Sequence, residues 1–242
     1  MRQLWGLLLG LMSLSVAAEN VSYQVAGDSY QGFYTSHEDN APLVLLLHDW
    51  DGLTEYEIQR AQMLAQKGYA VFAADLFGAG VRPVKDADKR QHTGELYKNR
   101  ARLRSLMQAA LIKAGELGAD TENAVAMGYC FGGAAVLEMA RSGVDLKGFV
   151  SFHGGLGTPE DQDYTQTRGE ILILHGAADQ HISMQDFARL GEELENQGPD
   201  YEMSAYGGAR HAFTVFGGNR YQPEADRKSW ARVNAFLETT LK

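Results

Sequence analysis

The sequence predicts an α/β fold, with a mostly parallel central sheet, helices on both faces and an N-terminal hairpin. Three observations carry this. Leu43–Leu47, Ala70–Ala74 and Ala124–Met127 are short, continuous apolar runs, as strands buried on both faces require. The stretches between them place apolar residues at helical spacing. The two patterns alternate along the chain, so successive strands are joined by crossover helices and run parallel.

Taken in order, Val21–Val25 and Tyr30–Thr35 alternate as strands about a Gly27-Asp28 turn. Leu43–Leu47 is the first buried strand. Thr54 and Glu57 form a capping box, opening a helix with its stripe at Ile58, Ala61, Leu64 and Ala65 and its end near Gly68. Ala70–Ala74 is the next strand, followed by a long polar loop from Gly78 to Thr93. Leu96, Leu103, Met107, Ala110, Leu111 and Ala114 repeat as one helical face. Ala124–Met127 runs into Gly128-Tyr129-Cys130-Phe131-Gly132-Gly133, and Ala134–Ala140 reads as a helix stopping at Gly143. Gly148–Phe152 and Ile171–Leu174 are strands; Phe187, Leu190 and Leu194 mark a helix closed by Gly198; Tyr201–Tyr206 is the last strand. Trp230, Val233, Phe236, Leu237 and Leu241 form the apolar side of a terminal helix.

The chain has 242 residues, 45% hydrophobic and 22% charged, which suits one domain with a full core. Residues 1–18 read as a secretory signal peptide: a basic start at Arg2, an apolar run from Leu4 to Val16, and small residues Ala17-Ala18 before Glu19. The mature domain is then 19–242, and the expected location is periplasmic or secreted. A formal charge of -9 with scattered basic residues disfavours nucleic acid and anionic membranes as partners. Cys130 is the one cysteine. In an oxidising compartment structural cysteines come in pairs, so a lone one is a reactive thiol or an intermolecular bridge.

The surroundings of Cys130 favour the reactive thiol. A buried strand, a Gly-x-Cys-x-Gly turn and a helix make a nucleophile-elbow context with Cys in place of Ser. The turn is so tight that a Cβ two residues either side of the nucleophile would strike backbone. It lifts the thiol to a helix N-terminus, where free N–H groups favour negative charge. Asp179 follows the strand Ile171–Leu174, and His211 follows Tyr201–Tyr206. Nucleophile, acid and base thus fall at strand ends in the chain order of α/β-hydrolases. His211 would take the thiol proton and Asp179 would fix its tautomer. The Phe131 N–H and an N–H from the loop His48–Leu53, with Trp50 the best candidate, would form the oxyanion hole. His153 and His175 read as loop-shaping residues. His175 and His181 with Asp179 do not have ligand spacing, and no metal or cofactor is expected.

Through His48–Leu53, Gly68–Ala70, Asp75–Gly78, the Gly128–Gly133 elbow, His175–Asp179 and His211–Phe213, the chain resembles the dienelactone hydrolases (carboxymethylenebutenolidases) of the α/β-hydrolase superfamily. The resemblance implies an α/β-hydrolase fold and thiol-based hydrolysis of small esters, lactones or thioesters, with Cys130, Asp179 and His211 as triad. It also implies a thiol-modulating role for Asp49, where family members usually carry the longer glutamate. The dienelactone enzymes grip the substrate carboxylate with an arginine four residues after the histidine. Here that position is Val215, and Arg210 is the candidate replacement. The alternative reading is a binding or sensing protein on a hydrolase fold.

Overall fold

The computed structural model describes residues 17–241; the candidate signal peptide lies outside them except for Ala17 and Ala18. Eight strands form one sheet: β1 (Ala17–Val25), β2 (Asp28–Ser36), β3 (Pro42–Leu47), β4 (Ala70–Ala74), β5 (Asp120–Tyr129), β6 (Asp145–Phe152), β7 (Arg168–Gly176) and β8 (Tyr201–Tyr206). Their spatial order is β1-β2-β4-β3-β5-β6-β7-β8. β1 and β2 are antiparallel, and β2 joins β4 antiparallel; every other pairing is parallel. The hairpin turn is Ala26-Gly27, one residue earlier than the sequence suggests. Both residues have positive φ, as the tight turn between twisted strands demands, and Val25 pairs with Asp28.

Among the described residues six helices flank the sheet: α1 (Glu55–Ala65), α2 (Asp86–Lys98), α3 (Arg100–Glu116), α4 (Phe131–Arg141), α5 (Met184–Gln197) and α6 (Pro223–Thr240). The period-two alternation of the strands divides the core. Leu43, Leu45 and Leu47 of β3, with Ala124 and Ala126 of β5 and Ile171 and Ile173 of β7, face α3, α4 and α5. Val44, Leu46, Val125, Met127, Leu172 and Leu174 face α1 and α6.

Two sequence expectations change. The supposed loop Gly78–Thr93 holds the first half of α2, which buries only Thr93 and Leu96 and therefore shows almost no apolar stripe. The continuous face from Leu96 to Ala114 is broken at Asn99, which leaves helical geometry and whose side chain caps α3 by accepting from the Arg102 N–H at 3.0 Å.

The chain reverses direction across the sheet between β3 and β5, its topological switch point. Loop 48–53 leaves β3 there and the elbow leaves β5 beside it. The loop 207–222 folds back from the β8 edge, held by Ala178 N–H donating to Ala209 O at 2.8 Å and Gln222 N–H to Phe213 O at 3.0 Å.

Candidate active site

The elbow is tight for the reason the glycines suggest. A Cβ on Gly128 would lie 2.4 Å from the Gly132 carbonyl, and one on Gly132 would lie 2.2 Å from the Leu47 carbonyl oxygen. Cys130 itself has φ of 51°, a conformation L residues rarely adopt, which aims its side chain off the end of β5. Its N–H donates to Phe152 O at 3.0 Å, locking the turn to β6.

Cys130, His211 and Asp179 meet above the strand ends. Cys130 Sγ is 3.0 Å from His211 Nε2, and His211 Nδ1 is 2.7 Å from Asp179 Oδ2. Asp179 Oδ1 accepts the N–H groups of His181 and Ile182 at 2.8 and 3.0 Å. Burial alone would raise the Asp179 pKa. The hydrogen bond and charge of His211 and the two amides outweigh it and bring the carboxyl down to about 2. An ionised Asp179 requires the proton on His211 Nδ1, so Nε2 offers its lone pair to the thiol.

The thiol is pushed well above its ordinary pKa, first by burial, then by the negative charge of Asp49 and, more weakly, of Asp179 and Asp51. The Phe131 N–H acts the other way. At rest the thiol therefore keeps its proton and faces His211 Nε2.

Loop 48–53 is rigidly held. His48 is buried; its Nε2 accepts the Leu76 N–H at 3.1 Å, leaving Nδ1–H to donate to Asp49 O at 2.6 Å. Burial lowers its pKa to about 4, so it stays neutral. Glu57 does more than cap α1. Its Oε2 accepts Thr54 N–H and Oγ1, while its Oε1 accepts the Asp49 N–H at 3.3 Å. The Asp49 carboxylate accepts the Trp50 N–H rather than bonding the thiol. Burial first, then Asp51 and Glu57, raise the Asp49 pKa well above the carboxylate range.

These groups border a cavity of about 660 Å³. Asp49, Trp50, Cys130, Phe131 and His211 line it, and so do Tyr97 and Ile182, which the sequence reading did not single out. Tyr97 comes from α2, where a weak helical pattern hid it. Val215 is on the wall. Arg210 is exposed and is not among the lining residues; the cations there are Lys89, Arg90 and Arg220. Lys89 lies over the Trp50 ring and 3.7 Å from Asp51.

Of the other histidines, His181 lines the cavity with its ring 5.3 Å from that of His211. His153 is buried with its ring 5.2 Å from His211. His175 is buried and stacks on Phe187.

Comparison with known proteins bears on what this site does. Residues 31–241 match the family model described as "Dienelactone hydrolase family". Among curated relatives, a "Putative carboxymethylenebutenolidase" of Saccharolobus solfataricus is 26% identical, covering 93% of this chain and 99% of the relative. A "Probable 2-oxo-3-(5-oxofuran-2-ylidene)propanoate lactonase" of Bradyrhizobium sp is 26% identical, covering 83% and 84%. Among solved structures, "m3DLH" superposes with a TM-score of 0.85 at 30% identity, covering 94% of this chain and 99% of that one. A "Dienelactone Hydrolase-like Promiscuous Phospotriesterase P91 from Metagenomic Libraries" gives 0.86 at 27% identity, with the same coverage.

Proposed function

Since the chain belongs to the dienelactone hydrolase family and is an ester-hydrolysing enzyme of α/β-hydrolase fold, we propose that it is an exported cysteine hydrolase of small carboxylic esters, lactones or thioesters. The observation that carries this is the hydrogen-bonded line Cys130–His211–Asp179 opening onto the cavity.

In the proposed reaction, the Cys130 sulfur attacks the substrate carbonyl carbon as its proton passes to His211 Nε2. The Asp179 carboxylate stabilises the imidazolium. The carbonyl oxygen becomes an oxyanion facing the Phe131 N–H. The Trp50 N–H is the second donor; at rest the Asp49 carboxylate occupies it, and the oxyanion takes that place. His211 then protonates the leaving alkoxide or thiolate as its bond to carbon breaks, giving an acyl-thioester. Water attacks this ester with His211 as base, releasing the acid and restoring the thiol. No step calls on a cofactor.

The alternative of a binding or sensing protein lacks a supporting observation. Export rests on residues 1–18 of the sequence. Removal of Ala17 and Ala18 would leave seven of the nine residues of β1, from Glu19 to Val25.

The test is stopped-flow hydrolysis of a chromogenic ester. A burst stoichiometric with enzyme, and a covalent acyl adduct on Cys130 by mass spectrometry, are expected. Undiminished turnover by Cys130→Ala would overturn the proposal.

A further inference from the structure

The catalytic loop is bolted from behind by a buried polar chain that the proposed reaction does not use. It starts at Arg60 of α1, whose side chain is 1% exposed. Its Nη2 is ion-paired with Asp226 of α6 and also donates to the Thr214 carbonyl at 2.9 Å. Its guanidinium lies 4.2 Å from the Phe216 ring centre and 4.7 Å from that of Trp230. One turn earlier on α1, Tyr56 OH donates to Thr214 Oγ1 at 2.7 Å. Thr214 Oγ1 in turn meets His153 Nε2 at 2.9 Å, and the His153 ring packs on His211.

Thr214 is fully buried and three residues beyond His211. Between them Ala212 has φ of 61°, which the surroundings must hold in place. The Thr214 hydroxyl thus meets Tyr56 and His153, and its carbonyl meets Arg60. The same helix holds the facing loop, because Glu57 accepts the Asp49 N–H. Tyr56, Glu57 and Arg60 thus tie the base-bearing loop and the Asp49–Trp50 loop to one rigid element.

We propose that Thr214 is a positioning residue: braced by Tyr56 and Arg60 of α1, it sets His153 against His211 and holds the imidazole within reach of Cys130 and Asp179 at once. This rests on the reading of Cys130 and His211 as nucleophile and base. A sub-ångström loss of alignment between base and thiol lowers the chemical step while leaving the cavity's substrate contacts in place, so the signature is in kcat and not in KM.

The test compares Thr214→Val, which keeps shape but removes the hydroxyl, with Thr214→Ser, which restores it. Both are measured beside Cys130→Ala on a chromogenic ester, together with the pH profile of Cys130 alkylation by iodoacetamide. Thr214→Val is expected to lose kcat by about ten- to hundredfold with KM changed by less than about twofold, and to shift the alkylation profile. Thr214→Ser is expected to recover both. A change in folding stability alone would move neither readout. Wild-type kcat in Thr214→Val, or a Thr214→Ser variant as impaired as Thr214→Val, overturns the proposal. If Cys130→Ala is inactive in the same assay, that failure belongs to the brace; if Cys130→Ala turns over normally, the nucleophile reading itself has failed.

Discussion

Replacing Asp179 by Asn tests the electrostatics of the site in two independent ways. The side chain is shielded from solvent, and its pKa falls from an ordinary 3.8 to about 2. By linkage, that difference ties about 2 kcal/mol of stability at neutral pH to the ionised carboxylate. The folded value lies below the unfolded one. The stabilisation is therefore complete above the unfolded pKa and is lost as pH falls through the folded one; by linkage roughly half of it remains at pH 3. Asn keeps an oxygen for the His181 and Ile182 amides but loses the charge. Urea denaturation of wild type and Asp179→Asn is expected to show a gap of about 2 kcal/mol at pH 7 that roughly halves by pH 3. Esterase turnover at pH 7 is expected to fall by about 10³–10⁴-fold, because the imidazole loses its tautomer bias and its counter-charge. A stability gap independent of pH, or turnover within about tenfold of wild type, would refute the reasoning.

Cys130→Ala and His211→Ala are expected to lower ester hydrolysis by roughly 10³-fold or more with the fold retained by circular dichroism. Gly132→Ala forces a Cβ to within 2.2 Å of the Leu47 carbonyl oxygen; it should cost ~3 kcal/mol or more, read as a lowered denaturation midpoint or loss of soluble protein. Asp49→Asn removes the carboxyl whose ionisation opposes that of the thiol, so peroxide inactivation should quicken while turnover falls less than in Cys130→Ala; a loss of turnover as deep as the triad variants would instead make Asp49 part of thiol activation. With Val215 on the cavity wall and Arg210 outside it, anionic and neutral lactones should differ by less than about tenfold in kcat/KM; a larger anionic preference that Arg220→Ala abolishes would contradict this.

The sheet was legible because β3, β4 and β5 are buried on both faces, so their hydrophobicity is continuous and owes little to context. The elbow was legible because Gly128 and Gly132 answer to backbone collisions a few residues away. α2 was not, since it turns two buried residues inward and covers the site with its polar remainder. With it Tyr97 and the cavity cations Lys89 and Arg90 escaped notice. The Thr54–Glu57 capping box was visible, but not that Glu57 also reaches back to Asp49, because that contact depends on how loop 48–53 folds over the helix start. Arg210 shows the converse. Adjacency in sequence to His211 suggested a place in the cavity, yet the chain here runs through consecutive turns, and the backbone turn at Ala212 brings Val215 to the wall instead. The brace at Thr214 joins residues up to 166 positions apart, through Arg60 and Asp226, and no local pattern encodes it.

The charge around Cys130 also bears on how the proposed thiol nucleophile would be generated. A pre-formed thiolate needs a cation or a protonated histidine to hold it. Here the carboxyl groups that act on the sulfur, Asp49, Asp179 and Asp51, all oppose its ionisation, and the Phe131 N–H acts the other way. With the thiol pushed up and Asp179 fixing the proton on His211 Nδ1, the stable arrangement keeps one proton between Sγ and Nε2, on the sulfur. In the proposed mechanism the nucleophile then arises only as the proton moves, when a carbonyl enters and the Phe131 and Trp50 amides can take up the charge the sulfur passes on. The Asp49 carboxylate on the Trp50 N–H fits this order of events, because the same substrate oxygen that needs the donor also displaces the acid from it. In the oxidising compartment proposed for this protein, where only the thiolate reacts readily with peroxide, such a site stays reduced between turnovers and is ionised only while it is occupied.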